Sequence, residues 1–135
     1  MKQALSILLW ATTALAAHAG TPAELLAEYR LEAAREHAGF QTSARRGAEF
    51  YTREFGHSPR LPSCASCHTS DPRQNGRHAV TDKPIQPLSP QAETRRFTDR
   101  AKVEKWFRRN CSEVVGRPCT AMEKADLLAW LVGGQ

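Results

Sequence analysis

Apolar positions fall into one unbroken run at the start of the chain and short helical stripes after it. The run covers Ala4 to Ala17, and Lys2 is the only charge before Glu24. Ala17-His18-Ala19 then gives the small-x-small pattern of a signal-peptidase site. The run is too short for a membrane span, and no second stretch of about 18 apolar residues follows. Residues 1–19 therefore read as a secretory signal cleaved after Ala19. That places the mature protein in the periplasm, with no stable membrane insertion once the signal has gone.

Four segments with helical patterning follow. In TPAELLAEYRLEAAREHAG (residues 21–39), Thr21, Pro22 and Glu24 form an N-terminal capping signal. Leu25, Leu26 and Tyr29 are its apolar face. SARRGAEFYTREF (43–55) is capped by Ser43 and carries Gly47 and Tyr51 on one face, where a glycine admits a second helix closely. TDRAKVEKWFRRN (98–110) takes Thr98 as its cap. Val103, Trp106, Phe107 and Asn110 form one stripe at i, i+3, i+4 and i+7, with Lys102, Lys105, Arg108 and Arg109 opposite. TAMEKADLLAWLVGG (120–134) opens on a Thr120–Glu123 capping box and ends at Gly133 and Gly134.

Between the second and third helices, residues 71–90 read as loop. Pro84, Pro87 and Pro90 exclude a regular helix or a central strand there. Val80, Ile85 and Leu88 have no secondary-structure face to join, so they read as a cover over something. With no alternating strand pattern, the expectation is an all-α fold. Residues 20–42 add a helix to one small domain spanning 43–135.

Composition changes this picture in one respect. The 116 residues after the signal hold only 24 Leu, Ile, Val, Phe, Tyr, Trp and Met. That is a thin core, which a buried cofactor would complete. The whole chain carries a formal charge of +5, and losing Lys2 leaves +4. The surplus is modest and, in an exported protein, does not point to nucleic acid. All four cysteines lie after the signal, in an oxidising compartment.

The chemistry sits in PSCASCHTS (62–70). Cys64-x-x-Cys67-His68 is the attachment signature of haem c. Two thioethers fix the porphyrin over one helical turn, and His68 then lies under the iron as proximal ligand. A thioredoxin-type dithiol lacks its strand–helix context here, and a zinc site lacks a settled second ligand pair. One covalent haem c is expected, with Trp106, Phe107, Ile85 and Leu88 packing against it. The helix pattern resembles the small class I cytochrome c fold, in which first and last helices cross through a small residue and an aromatic one. Gly47 and Tyr51 against Leu127 and Trp130 would make that crossing.

The sixth ligand decides function. Candidates are Met122, His37, His57, His78 and Asn110. Met122 is the default by residue type, but it falls in the first turn of the last helix. His57 and His78 read as surface residues, and His37 as a favourable charge at the end of its helix. Asn110 is polar on an apolar stripe, and spacing alone favours a helix C-cap over an iron ligand. A fixed Met122 would make a plain electron carrier. A small-molecule reductase acting on oxygen, nitric oxide or peroxide is the further alternative, so whether the protein is an enzyme stays open.

CASCHT, RFTDRAKVEKWFRRNC and GRPCTAMEKADLLAWL together resemble the sphaeroides haem protein family, over roughly Ser43 to Val132. The resemblance implies a monohaem cytochrome c with His68 and Asn110 as axial ligands and a disulfide between Cys111 and Cys119. It implies that the asparagine leaves the iron on reduction, so that oxygen or nitric oxide can bind. It also implies multihaem c-type and membrane b-type cytochromes as electron donors. An amide oxygen is a hard donor that suits ferric better than ferrous iron, which agrees with such release.

Overall fold

A computed structural model describes residues 20–133. Residues 1–19, where the signal is expected, and residues 134–135 lie outside them. Five helices and one short strand pair follow in order: α1 Pro22–Glu36, α2 Ala44–Thr52, α3 Ala65–His68, β1 Gly76–Arg77, β2 Pro84–Ile85, α4 Arg100–Val114 and α5 Ala121–Gly133. Among the described residues no helix is long and apolar enough to cross a membrane.

The capping signals act where they were read. Thr21 Oγ1 accepts from the Glu24 amide at 3.1 Å, and the Glu24 carboxylate accepts from the Thr21 amide at 2.7 Å. Ser43 caps α2 through the Arg46 amide. Thr120 and Glu123 make the reciprocal pair at the start of α5. Each satisfies amides that the first helical turn leaves without a partner.

Three expectations change. The cap of α4 is Asp99, which accepts from the Lys102 amide at 3.0 Å, while the Thr98 hydroxyl turns back to the Arg95 carbonyl. The helix then runs four residues past Asn110, and its last turn closes with the Val115 and Gly116 amides on the Cys111 carbonyl. Asn110 is therefore an interior residue of α4, and the C-cap reading is wrong. The loop 71–90 contains a two-residue antiparallel pair, Gly76 opposite Ile85 and Arg77 opposite Pro84. Pro84 is tolerated because a two-stranded pair has only edges, so its missing amide can face outward.

The core is the crossing of α2 and α5, with α1 laid along α5. Tyr29, Tyr51, Leu128 and Leu131 are fully buried. A Cβ on Gly47 would stand 2.0 Å from the Asp126 carbonyl oxygen and 2.9 Å from the Leu127 amide nitrogen, so α5 backbone rests directly on the glycine. One turn along, the rings of Tyr51 and Trp130 meet at a tilt of 51° with centroids 4.8 Å apart. Buried Asp126 ties the crossing: it accepts from the Ser43 amide at 2.7 Å and from Arg46 Nε at 2.7 Å. This is the crossing expected from Gly47, Tyr51, Leu127 and Trp130.

Helix α1 joins the same core. Its Tyr29 hydroxyl donates to Glu104 of α4 at 2.6 Å, and its ring meets Phe107 edge-on at 5.9 Å. Lys124 of α5 donates to the same carboxylate at 2.8 Å. Arg100 of α4 bonds Glu28 and Glu32 of α1. The face of α4 that is buried is the row Cys111–Val114, with Val103 and Phe107 half-buried against the core. Trp106 and Asn110 lie one strip aside, an i,i+4 pair sharing their own face.

Candidate haem site

Helix α3 is a single turn. Its spacing sets Cys64 and Cys67 on one face and His68 next to them, closed by the His68 amide on the Cys64 carbonyl at 3.2 Å. Both thiols are free and half-buried. Burial pushes the Cys64 thiol up to about 11, and the neighbouring Cys67 adds to that. The His68 imidazole is pushed down to about 4, by burial first and then by the Arg96 charge. A neutral imidazole is the form that binds a metal. Its Nδ1 is buried without a hydrogen-bond partner among the described residues. Two thiols and a neutral imidazole on one turn fit haem c, and the thin core fits it too.

Several contacts fix that turn. Gly76 of β1 lies so close that a Cβ would stand 2.1 Å from the Cys67 carbonyl oxygen and 3.0 Å from His68 Cα. Its strand partner is Ile85. The Ala79 amide points at Cys67 Sγ, 3.3 Å away. Thr69, directly after His68, has φ 63° and ψ 170°, a region that costs a non-glycine residue about 1–3 kcal/mol. The Tyr51 hydroxyl donates to the Thr69 carbonyl at 2.6 Å, and Thr69 Oγ1 donates to the Asp71 carbonyl at 2.7 Å. Three residues after Thr69, the Pro72 carbonyl accepts from the Leu88 and Ser89 amides. The loop 71–90 is therefore pinned back onto the segment after the attachment turn, and Leu88 packs half-buried on the core.

The second wall is α4 and the loop after it. Asn110 is half-buried in mid-helix, and its side chain makes no hydrogen bond among the described residues. Trp106, one turn earlier, is 43% exposed, with Arg109 over its ring. Phe107 is occupied with Tyr29 and Lys124. Cys111 and Cys119 are brought together with Cα atoms 5.6 Å apart, within the span a disulfide bridges. Cys111 and Cys119 belong to the buried core cluster, and Cys64 and Ala65 pack half-buried against it.

The remaining ligand candidates are placed as follows. His78 Nδ1 accepts the Val80 and Thr81 amides, each at 3.2 Å, and so shapes its own turn. His57 is exposed with its ring against Gly116, and His37 is the exposed C-cap of α1. Met122 is half-buried in the first turn of α5. Sequence reading overlooked Gly76 and Asp126. The only signal for Asp126 was one carboxylate within the apolar stretch KADLLAWL, and Gly76 had none beyond its place in a polar loop.

A helical domain crossed through Gly47 and carrying one haem-attachment turn is an all-α cytochrome c with haem c as its cofactor. Residues 37–131 match the family model described as a domain of unknown function, DUF1924. The chain is 51% identical to the cytochrome c-type protein SHP of Cereibacter sphaeroides over 112 residues, 82% of each chain. It belongs to this sphaeroides haem protein family. Its structure matches oxidised SHP, described as an oxygen-binding cytochrome c, with TM-score 0.77 and 45% identity, covering 85% of this chain and 98% of that one. Such coverage exceeds residues 43–135, so the match takes in part of the segment before Ser43. Cytochrome c″ of Methylophilus methylotrophus is 42% identical over 87 residues, 64% of this chain and 60% of that protein. Its oxidised crystal structure aligns at TM-score 0.76 and 34% identity, over 84% and 94% of the two chains. The solution structure of cytochrome c″, reported for its bearing on haem-ligand detachment, aligns at TM-score 0.70 and 35% identity, over 82% and 90%.

Proposed function

We propose that this is an exported, periplasmic monohaem cytochrome c that accepts an electron and then binds oxygen or nitric oxide. The mature protein starts at residue 20, with helix-bearing segment 20–42 added to the cytochrome domain 43–135. Cys64 and Cys67 carry the haem thioethers and His68 is the proximal ligand. Trp106, Phe107, Ile85 and Leu88 pack against the macrocycle. Asn110 is the distal ligand of the oxidised state and is released on reduction. Haem supplies a one-electron couple and an axial position for a diatomic gas. The chain supplies a proximal turn locked by Gly76, Tyr51 and Thr69, and a distal amide on a helix held through α1 and α5.

The observation that carries this reading is Asn110 itself. A half-buried amide in mid-helix, with no cap to make and no hydrogen bond among the described residues, is free to act as an iron ligand. The oxygen binding described for SHP and the ligand detachment described for cytochrome c″ agree with a weak sixth ligand. The Cys111–Cys119 disulfide then closes the loop next to it. Electron donors are multihaem c-type and membrane b-type cytochromes, as the family resemblance implies. Lys102 and Lys105 remain exposed on the outer face of α4, whereas Arg109 pairs with Glu113 at 3.0 Å.

Optical spectra of the ferric and ferrous holoprotein, before and after adding carbon monoxide or nitric oxide, test this. The expected result is a low-spin ferric form, a high-spin ferrous form and prompt gas binding. Asn110→Ala should be high-spin in both states. A ferrous form that stays low-spin and ignores the gas would establish a fixed ligand such as Met122, and with it a plain electron carrier. Catalytic turnover of gas or peroxide with a reductant would instead establish a reductase.

A further inference from the structure

Arg96 holds the proximal side together from outside. Its Nε donates to the Pro87 carbonyl and its Nη2 to the Gln86 carbonyl, both at 2.7 Å. These carbonyls directly follow Ile85, which pairs with Gly76, and Gly76 rests on Cys67 and His68. The next two residues, Leu88 and Ser89, send their amides back to the Pro72 carbonyl, four residues after His68. Ser89 is fully buried, and Gln91 beyond it donates to the Val132 carbonyl at the end of α5 at 2.8 Å. The guanidinium is thus half-buried and held in one plane by two carbonyls. Among the described residues no carboxylate forms an ion pair with it. Glu93, close in the same turn, pairs with Arg95 at 3.3 Å. Nothing at ion-pair distance among the described residues therefore cancels the Arg96 charge, and the loop it grips is the one that Ile85 and Leu88 fasten beside the attachment turn.

We propose that Arg96 sets the reduction potential of this cytochrome, acting as a fixed cation on the proximal side that favours the ferrous state. Reduction removes one positive charge from the iron centre, so a cation held near it in a low-dielectric setting stabilises the reduced form. A guanidinium forked onto two carbonyls holds its charge in place. With Asn110 released on reduction, as proposed above, that preference also decides how readily the distal position opens. The inference rests on His68 being the iron ligand.

The test is a redox titration of the haem-loaded full-length protein and three variants. Arg96→Gln should lower the midpoint potential. Arg96→Lys, which keeps the charge but cannot fork onto both carbonyls, should retain most of it. Glu93→Gln removes a nearby negative charge and should raise the potential. Equal falls in the lysine and glutamine variants would overturn the proposal, since the loss would then come from the hydrogen bonds. So would an unmoved potential in both Arg96→Gln and Glu93→Gln. If Arg96→Gln fails to take up haem, the opposite behaviour expected of Arg96→Lys and Glu93→Gln still decides. The spectra of the same samples keep the two readings apart. A wild-type spectrum without histidine ligation removes His68, and intact spectra with unmoved potentials remove only the role of Arg96.

Discussion

At position 76 only a hydrogen atom fits. The strand pair lies so close to the attachment turn that any side chain would enter the Cys67 carbonyl. Gly76→Ala should therefore force two backbone segments apart and cost about 3 kcal/mol, the upper end for overpacking. Gly133→Ala meets nothing within 4 Å and should be neutral or slightly stabilising. Thermal unfolding of both holoproteins checks the contrast, and a harmless Gly76→Ala would mean the strand pair does not brace the turn. At the same scale, Cys64, Cys67 and His68 were legible in the sequence because covalent chemistry demands a fixed spacing. Gly76 and the strained Thr69 were not, because their meaning comes from residues distant along the chain. Tyr51, for example, reaches the Thr69 carbonyl across 18 positions.

Helices α1, α4 and α5 meet at one carboxylate. Burial alone would raise the Glu104 pKa, but hydrogen bonds from Lys124 and Tyr29 outweigh it and the net shift is downward. Tyr29 itself is shifted upward by burial and by Glu104, so it remains a protonated donor. A depressed carboxyl pKa contributes stability that is present above the unfolded value, about 4.3, and is lost as pH falls through the folded value. Unfolding temperature measured against pH should therefore drop steeply below about pH 5 in the wild type. Glu104→Gln should be less stable near pH 7 and flatter through the acid range. Parallel curves would show that the junction contributes no pH dependence. Element types and the caps at Thr21, Ser43 and Thr120 were legible from local patterns. The end of α4 was not, since asparagine is a common stop signal and only the packing of Cys111 and Val114 carries the helix through it.

For the molecule as a whole, a thin core is closed by cross-links rather than by more apolar mass. The loop between Cys111 and Cys119 is short, with a sequence separation of 8, and a disulfide across it contributes about 2–3 kcal/mol by the chain-entropy relation. Replacing both cysteines by serine should lower the unfolding temperature of the holoprotein by an amount matching that figure, while haem attachment at Cys64 and Cys67 persists. An unchanged unfolding temperature would mean that the pair stays reduced or that the loop needs no staple. The sequence by itself determined the chemistry and the parts list. A Cys-x-x-Cys-His turn in a helical chain without a strand–helix dithiol setting or a second zinc-ligand pair points to one haem c, and 3.6-residue periodicity with caps yields helices from local interactions. Only the tertiary structure decided how α1 enters the core, that Asn110 lies inside a helix, that Gly76 and Tyr51 converge on the attachment turn, and that Arg96 grips the loop beside it. Such contacts join residues far apart in the chain. No local pattern records them, because close packing is a property of surfaces brought together and not of neighbours in sequence.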